Sequence, residues 1–211
     1  MSITKLLIAN RGEIAIRVQR AAAALDIPTV AIYSEDDAQS LHVFRADKAH
    51  SLAGVGAQSY LDIDLVIAAA KATGCDGVHP GYGFLSENAA FARACEDAGL
   101  CFVGPSPDVL EKLGDKVKAR NLAAQAGIPV LSGSMEAVDL AGAQAFRDEL
   151  QGGALIIKAV SGGGGRGVRV VGAGDDLEAA VTRAASEAAA AFGDGSLYVE
   201  RYLPRARHIE V

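Results

Sequence analysis

A run of glycines between two strand-like segments is the feature of this sequence best suited to chemistry. Residues 161–167 read SGGGGRG, and Lys158, Arg166 and Arg169 add positive charge beside or within the run. A loop without β-carbons can lay several backbone N–H groups against phosphate oxygens, and nearby cations strengthen that attraction. We therefore interpret the loop as a mobile flap that covers phosphates. The alternative is a flexible hairpin tip that binds nothing.

The same run formally satisfies the dinucleotide-binding pattern G-x-G-x-x-G through Gly162, Gly164 and Gly167. That pattern needs a helix directly after the glycines, so that the helix N-terminus meets the pyrophosphate. Here the strand-like Val168–Val171 follows at once, so we reject a dinucleotide fingerprint. The P-loop pattern G-x-x-x-x-G-K-[ST] is also absent from the sequence. Nucleotide binding would therefore need a different geometry.

Lys158 stands out because it lies inside an apolar, strand-like run. Leu155 and Ile157 alternate there with Ile156 and Lys158. A lysine on the buried side of a strand needs an anionic partner. A bound phosphate would provide one.

The elements around these residues divide the chain into two parts. In residues 1–113, strand-like runs alternate with helical runs, which predicts a Rossmann-like, doubly wound parallel sheet. A linker helix region at 114–134 and a smaller α+β part at 135–203 follow, and 204–211 begin a further subdomain. We expect the chain to stop within that domain. The predicted strands are 5–9, 29–33, 77–79, 100–103, 155–160, 168–171 and 197–202. The main predicted helices end near residues 25, 73, 98, 126 and 191. Ser86 is the predicted N-cap of the helix that ends near residue 98.

The composition indicates a globular protein with a small-molecule partner. Half of the residues are apolar and 22% are charged, which suits a packed core. The formal net charge of −6 gives no basic patch for nucleic acid or an anionic membrane. Cys75, Cys95 and Cys101 form neither an even set nor a C-x-x-C pair, so we expect reduced core residues. The N-terminal residues have too short an apolar stretch for a signal peptide, which favours a cytoplasmic protein.

Five segments, in order along the chain, resemble one family. They are LLIANRGEIAIRV at 6–18, HPGYGFLSEN at 79–88, GDKVKAR at 114–120, IIKAVSGGGGRGVRVV at 156–171 and ARHIEV at 206–211. Together they are similar to the biotin carboxylases of the ATP-grasp superfamily. The resemblance implies a pre-ATP-grasp domain followed by an ATP-grasp lid, with ATP held between two α+β subdomains.

The resemblance also implies a reaction and a set of ATP contacts. ATP would phosphorylate bicarbonate, the carboxyphosphate would yield CO2, and biotin on a carrier domain would be carboxylated. The implied metal is Mg2+ or Mn2+, with its ligands downstream of Val211, so we name no metal ligand and no catalytic residue here. The implied ATP-binding residues are Lys116, Lys158, Ser161, Gly162, Gly163, Gly164, Gly165, Arg166, Gly167, Glu200, Arg201, Leu203 and His208.

Different roles are implied within that set. The lysines suit phosphate oxygens because an ammonium is a compact point charge. Glu200, Arg201 and Leu203 match an adenine hinge, where a carboxylate can accept from the adenine amino group. A plain surface strand end is the alternative. His208 matches a histidine that lines the ATP site.

Two further places in the first part have competing interpretations. Tyr82 and Gly83 match positions whose main chain approaches biotin, although a simple tight turn explains the Tyr82 side chain better. The acids Glu35–Asp37 follow the second strand, where a dinucleotide-binding domain holds a ribose. Because Gly12 is the only glycine in the preceding turn, we interpret these acids as a solvated loop.

The complete enzyme is expected to work with a biotin carboxyl carrier domain and a carboxyltransferase, as a homodimer. We expect the 211-residue chain to be inactive by itself. Two alternatives stay open: a non-catalytic nucleotide-binding fragment, and another bicarbonate-using ligase such as carbamoyl-phosphate synthase. The segment HPGYGFLSEN argues against the second. The final acceptor, whether acyl-CoA, pyruvate or urea, is not indicated by these residues.

Overall fold

A computed structural model describes residues 2–161, 167–207 and 209 of the chain. They form two compact units, Met1–Glu111 and Lys112–Val211. Each unit has its own sheet and its own buried core. The predicted fold class is therefore confirmed, while the predicted domain boundaries stay predictions.

A parallel sheet forms the centre of the first unit. Its strands are β1 (Leu6–Ile8), β2 (Thr29–Tyr33), β3 (Lys48–Ser51), β4 (Gly77–His79) and β5 (Cys101–Phe102). They are ordered β3-β2-β1-β4-β5, and every neighbouring pair is parallel. Leu7 of the central strand pairs with Val30 on one side and Val78 on the other. All three side chains are fully buried, as expected for a parallel sheet with both faces covered.

Helices supply the cover on both faces of this sheet. Leu7, Val30 and Val78 belong to one core together with Phe91, whereas Ile8 packs with other residues in a second core. The helices are α1 (Gly12–Ala23), α2 (Leu41–Arg45), α3 (Gln58–Leu61), α4 (Ile63–Thr73), α5 (Ala89–Asp97) and α6 (Pro107–Gly114), the last of which contains the boundary between the units.

The helix termini follow the capping signals with one correction. Asp62 caps α4 by accepting from Leu65 N at 3.0 Å, and Gly74 ends the helix with a φ of 67°. Helix α5 begins after Asn88, whose side chain accepts from Phe91 N at 2.9 Å. The prediction that Ser86 caps this helix is wrong, because Asn88 is the residue next to its first turn.

Strand β3 and Cys101 also differ from expectation. Strand β3 was not predicted, because this edge strand has mostly exposed residues and no apolar pattern. Cys101 is exposed, so the prediction that all three cysteines lie in the core is wrong for this one. Cys75 and Cys95 are buried, and burial raises the pKa of the Cys95 thiol to about 12.

The second unit contains a three-stranded antiparallel sheet. Its strands are β6 (Leu155–Ala159), β7 (Val168–Val171) and β8 (Leu197–Arg201), with β6 in the middle. Pairs such as Leu155 with Val171 confirm the predicted hairpin. The helices of this unit are α7 (Lys116–Gln125), α8 (Leu140–Glu149) and α9 (Leu177–Phe192). Helix α8 was not predicted; its Phe146 packs in the core with Leu155.

In residues 2–161, 167–207 and 209, no helix is both long and apolar enough to cross a bilayer.

Asp37 is held by three donors just after β2. Its carboxylate accepts from Arg11 Nη1 at 2.9 Å, the Tyr60 hydroxyl at 2.8 Å and Ser40 Oγ at 2.9 Å. Burial alone would raise the pKa of Asp37, but these hydrogen bonds outweigh it and hold the pKa below its ordinary value. Its side chain is only 14% exposed, so the prediction of a solvated acidic loop is wrong for Asp37.

We expect this network to make the stability of the first unit sensitive to acid. A carboxylate whose pKa is lowered by folding stabilises the folded state above its unfolded pKa of about 3.9, and this stabilisation is lost as the pH falls through the lower folded value. Between about pH 5 and pH 2, the Asp37→Asn protein should therefore lose less unfolding free energy than the wild type. Urea denaturation at each pH measures the difference. The exposed Asp97→Asn is the control and should keep the wild-type pH dependence. An unchanged dependence in Asp37→Asn would contradict the assignment.

Candidate nucleotide site

Three charged side chains meet on one face of the small sheet. Lys158 on β6 pairs with Tyr198 on β8, and Glu200 lies two residues after Tyr198. The side chains of Lys158, Tyr198 and Glu200 therefore project from the same face of the sheet. Lys158 Nζ donates to Glu200 Oε2, and Arg120 Nη1 from α7 donates to Glu200 Oε1. We call Arg120, Lys158 and Glu200 the charge cluster. It combines two cations with one anion.

The charge cluster is shielded from solvent to different extents. The exposed fraction of the side chain is 7% for Glu200, 12% for Arg120 and 29% for Lys158. Lys158 Nζ also lies 5.9 Å from the ring centroid of Tyr198. Burial, with a further contribution from the Glu200 charge, raises the pKa of Tyr198 to about 12. Lys158 is therefore the member of the cluster that a ligand can reach most easily.

The environment of Lys158 differs from the sequence-based interpretation in one respect. Leu155 and Ile157 are buried, whereas Ile156 and Lys158 share the half-exposed face of β6. The prediction of a lysine on the buried side is therefore wrong. The anionic partner that the prediction required is present in the structure, and it is Glu200. An ammonium has three N–H donors, so a phosphate could bind Lys158 alongside this carboxylate.

Lys116 lies at the start of α7. Asp115 caps this helix by accepting from Val117 N at 2.9 Å and Lys118 N at 3.0 Å. Lys116 Nζ donates to the carbonyl oxygen of Val160 at 3.5 Å. Since Val160 directly precedes the glycine-rich loop, this lysine is positioned at the base of the predicted flap.

Both ends of the predicted flap are described. Ser161 Oγ donates to Asp194 Oδ2 at 3.0 Å, and Ala159 N donates to Gly167 O at 3.0 Å. Gly167 has a φ of 68°, and a β-carbon there would lie 2.9 Å from Ala159 Cβ, so glycine is required. The predicted ligands that lie outside the described residues are Gly162, Gly163, Gly164, Gly165, Arg166 and His208. The predicted mobility of the flap therefore stays a prediction.

The residues of the predicted adenine hinge lie at the end of β8. Both oxygens of Glu200 already accept from cations of the charge cluster. Arg201 is exposed, and its backbone N–H donates to Ser132 O at 2.8 Å. Leu203 is also exposed. Adenine binding by these residues stays a prediction.

The turn after β4 is locked by Asn10. This buried side chain donates to the carbonyl oxygens of Pro80 and Tyr82, both at 2.8 Å. Gly81 lies between them with a φ of 67°, and a β-carbon there would be 2.7 Å from Asn10 Nδ2. The turn is therefore tightly packed, while the Tyr82 side chain is exposed. Biotin contact by Tyr82 and Gly83 stays a prediction.

Arg120 is the member of the charge cluster that the sequence interpretation did not single out. It lies in GDKVKAR, four residues after Lys116 on the same helix. Residues four apart share a helix face, so the sequence could have indicated that Arg120 lies on the same face as Lys116. Its partner Glu200 is 80 residues away in the sequence, so the pairing itself could not be predicted.

Three acids of the second unit, Asp175, Asp176 and Glu200, have structural partners. Asp176 caps α9 by accepting from Ala179 N at 3.0 Å, and Asp175 accepts from Gly172 N at 2.7 Å. Glu200 is occupied by two cations. Among the described residues, no group of three or more His, Cys, Asp or Glu side chains could hold a metal.

Comparison with known sequence families identifies the first unit. Residues 2–110 match the family described as biotin carboxylase, N-terminal domain. The chain belongs to the biotin carboxylase family. Residues 115–211 match a second family, described as the carbamoyl-phosphate synthase L chain, ATP binding domain. The charge cluster lies within this second match. Since a biotin carboxylase domain precedes it, the alternative of a carbamoyl-phosphate synthase is set aside.

Individual relatives agree with this assignment. The chain is 53% identical over 213 residues to mitochondrial pyruvate carboxylase from Rattus norvegicus, and 50% identical over 214 residues to pyruvate carboxylase from Staphylococcus aureus. Each alignment covers 99% of this chain but only 18% of the relative. The chain therefore corresponds to less than a fifth of the length of these pyruvate carboxylases.

Solved structures of biotin carboxylases have the same fold. The biotin carboxylase domain of Hydrogenobacter thermophilus 2-oxoglutarate carboxylase, in complex with MgADP, ADP and bicarbonate, matches with a TM-score of 0.91 at 40% identity. Biotin carboxylase from Campylobacter jejuni, in a beta-gamma-ATP complex, matches with a TM-score of 0.92 at 41% identity. The matches cover 97% and 96% of this chain, and 45% and 46% of those chains.

Proposed function

We propose that this chain supplies part of the ATP site of a biotin carboxylase. The complete protein would use ATP and bicarbonate, through carboxyphosphate, to carboxylate biotin on a carrier domain. The charge cluster is the observation that carries the proposal, since it holds Lys158 on a strand that leads directly into the glycine-rich loop. The nucleotide and bicarbonate bound by the similar Hydrogenobacter domain support it.

In this proposal the residues act mainly through charge and backbone donors. Lys116 and Lys158 neutralise phosphate oxygens, and the N–H groups of residues 161–167 close over them. The hinge at Glu200, Arg201 and Leu203 borders adenine. The turn that carries Tyr82 and Gly83 approaches biotin. When bound, Mg2+ or Mn2+ supplies further charge neutralisation, through ligands outside these residues.

The relatives also favour an acceptor and a set of partners. Pyruvate carboxylases are 49% to 53% identical to this chain, so we infer that pyruvate is the acceptor of the complete protein. A biotin carboxyl carrier domain and a carboxyltransferase would then be its partners, with a homodimeric biotin carboxylase part. A cytoplasmic location stays a prediction.

An ATPase assay on the intact protein tests the proposal. We expect ADP release that requires both bicarbonate and free biotin, while the 211-residue chain alone releases none. Omitting each substrate in turn is the control. ADP release that is indifferent to bicarbonate and biotin would contradict the proposed reaction. ATP binding by the intact protein without any ADP release would instead favour the non-catalytic alternative.

A further inference from the structure

Arg120 has contacts that link it to the proposed phosphate site. It lies on α7 and is only 12% exposed. Its Nη1 donates to Glu200 Oε1, and its Nη2 donates to the carbonyl oxygen of Leu131 at 2.6 Å. Its position is thereby fixed at both ends of the guanidinium group.

The backbone around Arg120 leaves its guanidinium little freedom. Gly133 forms a bridge to Glu200, and a β-carbon at Gly133 would lie 2.8 Å from Arg120 Nη2 and 2.8 Å from Val199 O. Ser134 N donates to Val199 O at 2.8 Å, which holds this segment against β8. The guanidinium group therefore occupies a slot that any larger residue at Gly133 would close. Such packing favours a single orientation of Arg120 towards Glu200.

With Arg120 held against Glu200, the charge cluster has a net positive charge. Lys158 and Glu200 alone would form a neutral pair, and a neutral pair attracts phosphate weakly. Arg120 adds a second positive charge beside Glu200 Oε1, whereas Lys158 contacts Glu200 Oε2. The cluster as a whole therefore carries a net charge of +1. Because the cluster is largely buried, solvent screens this charge less than at the protein surface.

We propose that Arg120 is a positioning residue that balances the Glu200 carboxylate, so that Lys158 can present net positive charge to the nucleotide phosphates. The inference rests on the proposed ATP site. It gives Glu200 a second role as the anion that holds both cations in place. A purely structural Arg120, which only joins α7 to the carbonyl oxygen of Leu131, would not affect the discrimination between ligands that differ in phosphate.

The test compares the affinities of the intact protein for ATP and adenosine. Their ratio isolates the phosphate contribution, because any adenine contact of Glu200 affects both ligands. Arg120→Met makes the cluster neutral and should lower the ratio about ten-fold, whereas Arg120→Lys should retain most of it. Glu200→Gln keeps the shape of the side chain and raises the net charge to +2, so it should increase the ratio. Combining Arg120→Met with Glu200→Gln returns the net charge to +1 and should restore the ratio.

The outcomes separate this inference from the proposed function. A wild-type protein without preference for ATP over adenosine would contradict the proposed ATP site itself. If the wild type prefers ATP and Lys158→Met removes that preference, the site stands. In that case an unchanged ratio in Arg120→Met, or a lowered ratio in Glu200→Gln, overturns the role of Arg120. Thermal unfolding of each variant checks folding, and Glu200→Gln keeps the test decisive if Arg120→Met fails to fold.

Discussion

Replacing Lys158 with Met is expected to weaken ATP binding by the intact protein about ten- to hundred-fold, because a charge-assisted hydrogen bond contributes about 1.5–3 kcal/mol. Methionine retains most of the volume of the lysine stem, so folding should survive. Glu200 would keep Arg120 as a partner, which limits the cost of leaving its carboxylate buried. Calorimetry at fixed Mg2+ and salt concentrations measures the difference.

Lys118→Met is the matched control for this change. Lys118 is exposed on α7 in the same unit, and the substitution removes the same charge and adds the same side chain. Its ATP affinity should equal that of the wild type. Equal ATP affinities for the wild type and a folded Lys158→Met protein would show that Lys158 is not a phosphate ligand.

Replacing Gly81 with Ala is expected to lower the unfolding free energy of the first unit by about 2–4 kcal/mol. Part of the loss comes from the φ of 67°, which is unfavourable for a residue with a β-carbon. The rest comes from the contact of that β-carbon with Asn10 Nδ2, at 2.7 Å. Asn10 cannot move aside without losing its hydrogen bonds to Pro80 O and Tyr82 O. Urea denaturation of the chain measures the change.

Gly83→Ala separates these two effects. Gly83 has a similar φ of 65°, but a β-carbon there meets nothing within 4 Å. This variant should therefore lose only the backbone contribution, about 1–2 kcal/mol. If both variants lose the same unfolding free energy, the close packing between Gly81 and Asn10 contributes nothing measurable to stability.

Local patterns predicted much of the fold. The bounds of β2 and β4 agree with the prediction, because short apolar runs between turn signals define strands well. Gly74 correctly marked the end of α4. Strand β3 escaped prediction because its pairing with β2 depends on backbone hydrogen bonds and not on an apolar face. Its residues therefore carry no periodic signal.

The candidate site was predictable in part. Lys158 stood out by its position in a strand, and the family resemblance added Lys116 and Glu200. The ion pairs of Glu200 could not be predicted, because they join residues that are 42 and 80 positions apart in the sequence. The lock between Asn10 and Pro80, 70 positions apart, was missed for the same reason. Contacts of this kind depend on the whole tertiary arrangement, which local patterns do not encode.

The strand order of the second unit has a consequence for how the site assembles during folding. Strands β6 and β7 are neighbours in the sequence, whereas β8 joins β6 only after the intervening helix α9. Closing a longer loop costs more conformational entropy, so the hairpin should form before β8 docks. Glu200 arrives with β8. We therefore expect the two cations that it joins to be brought together late, after most of their own secondary structure has formed.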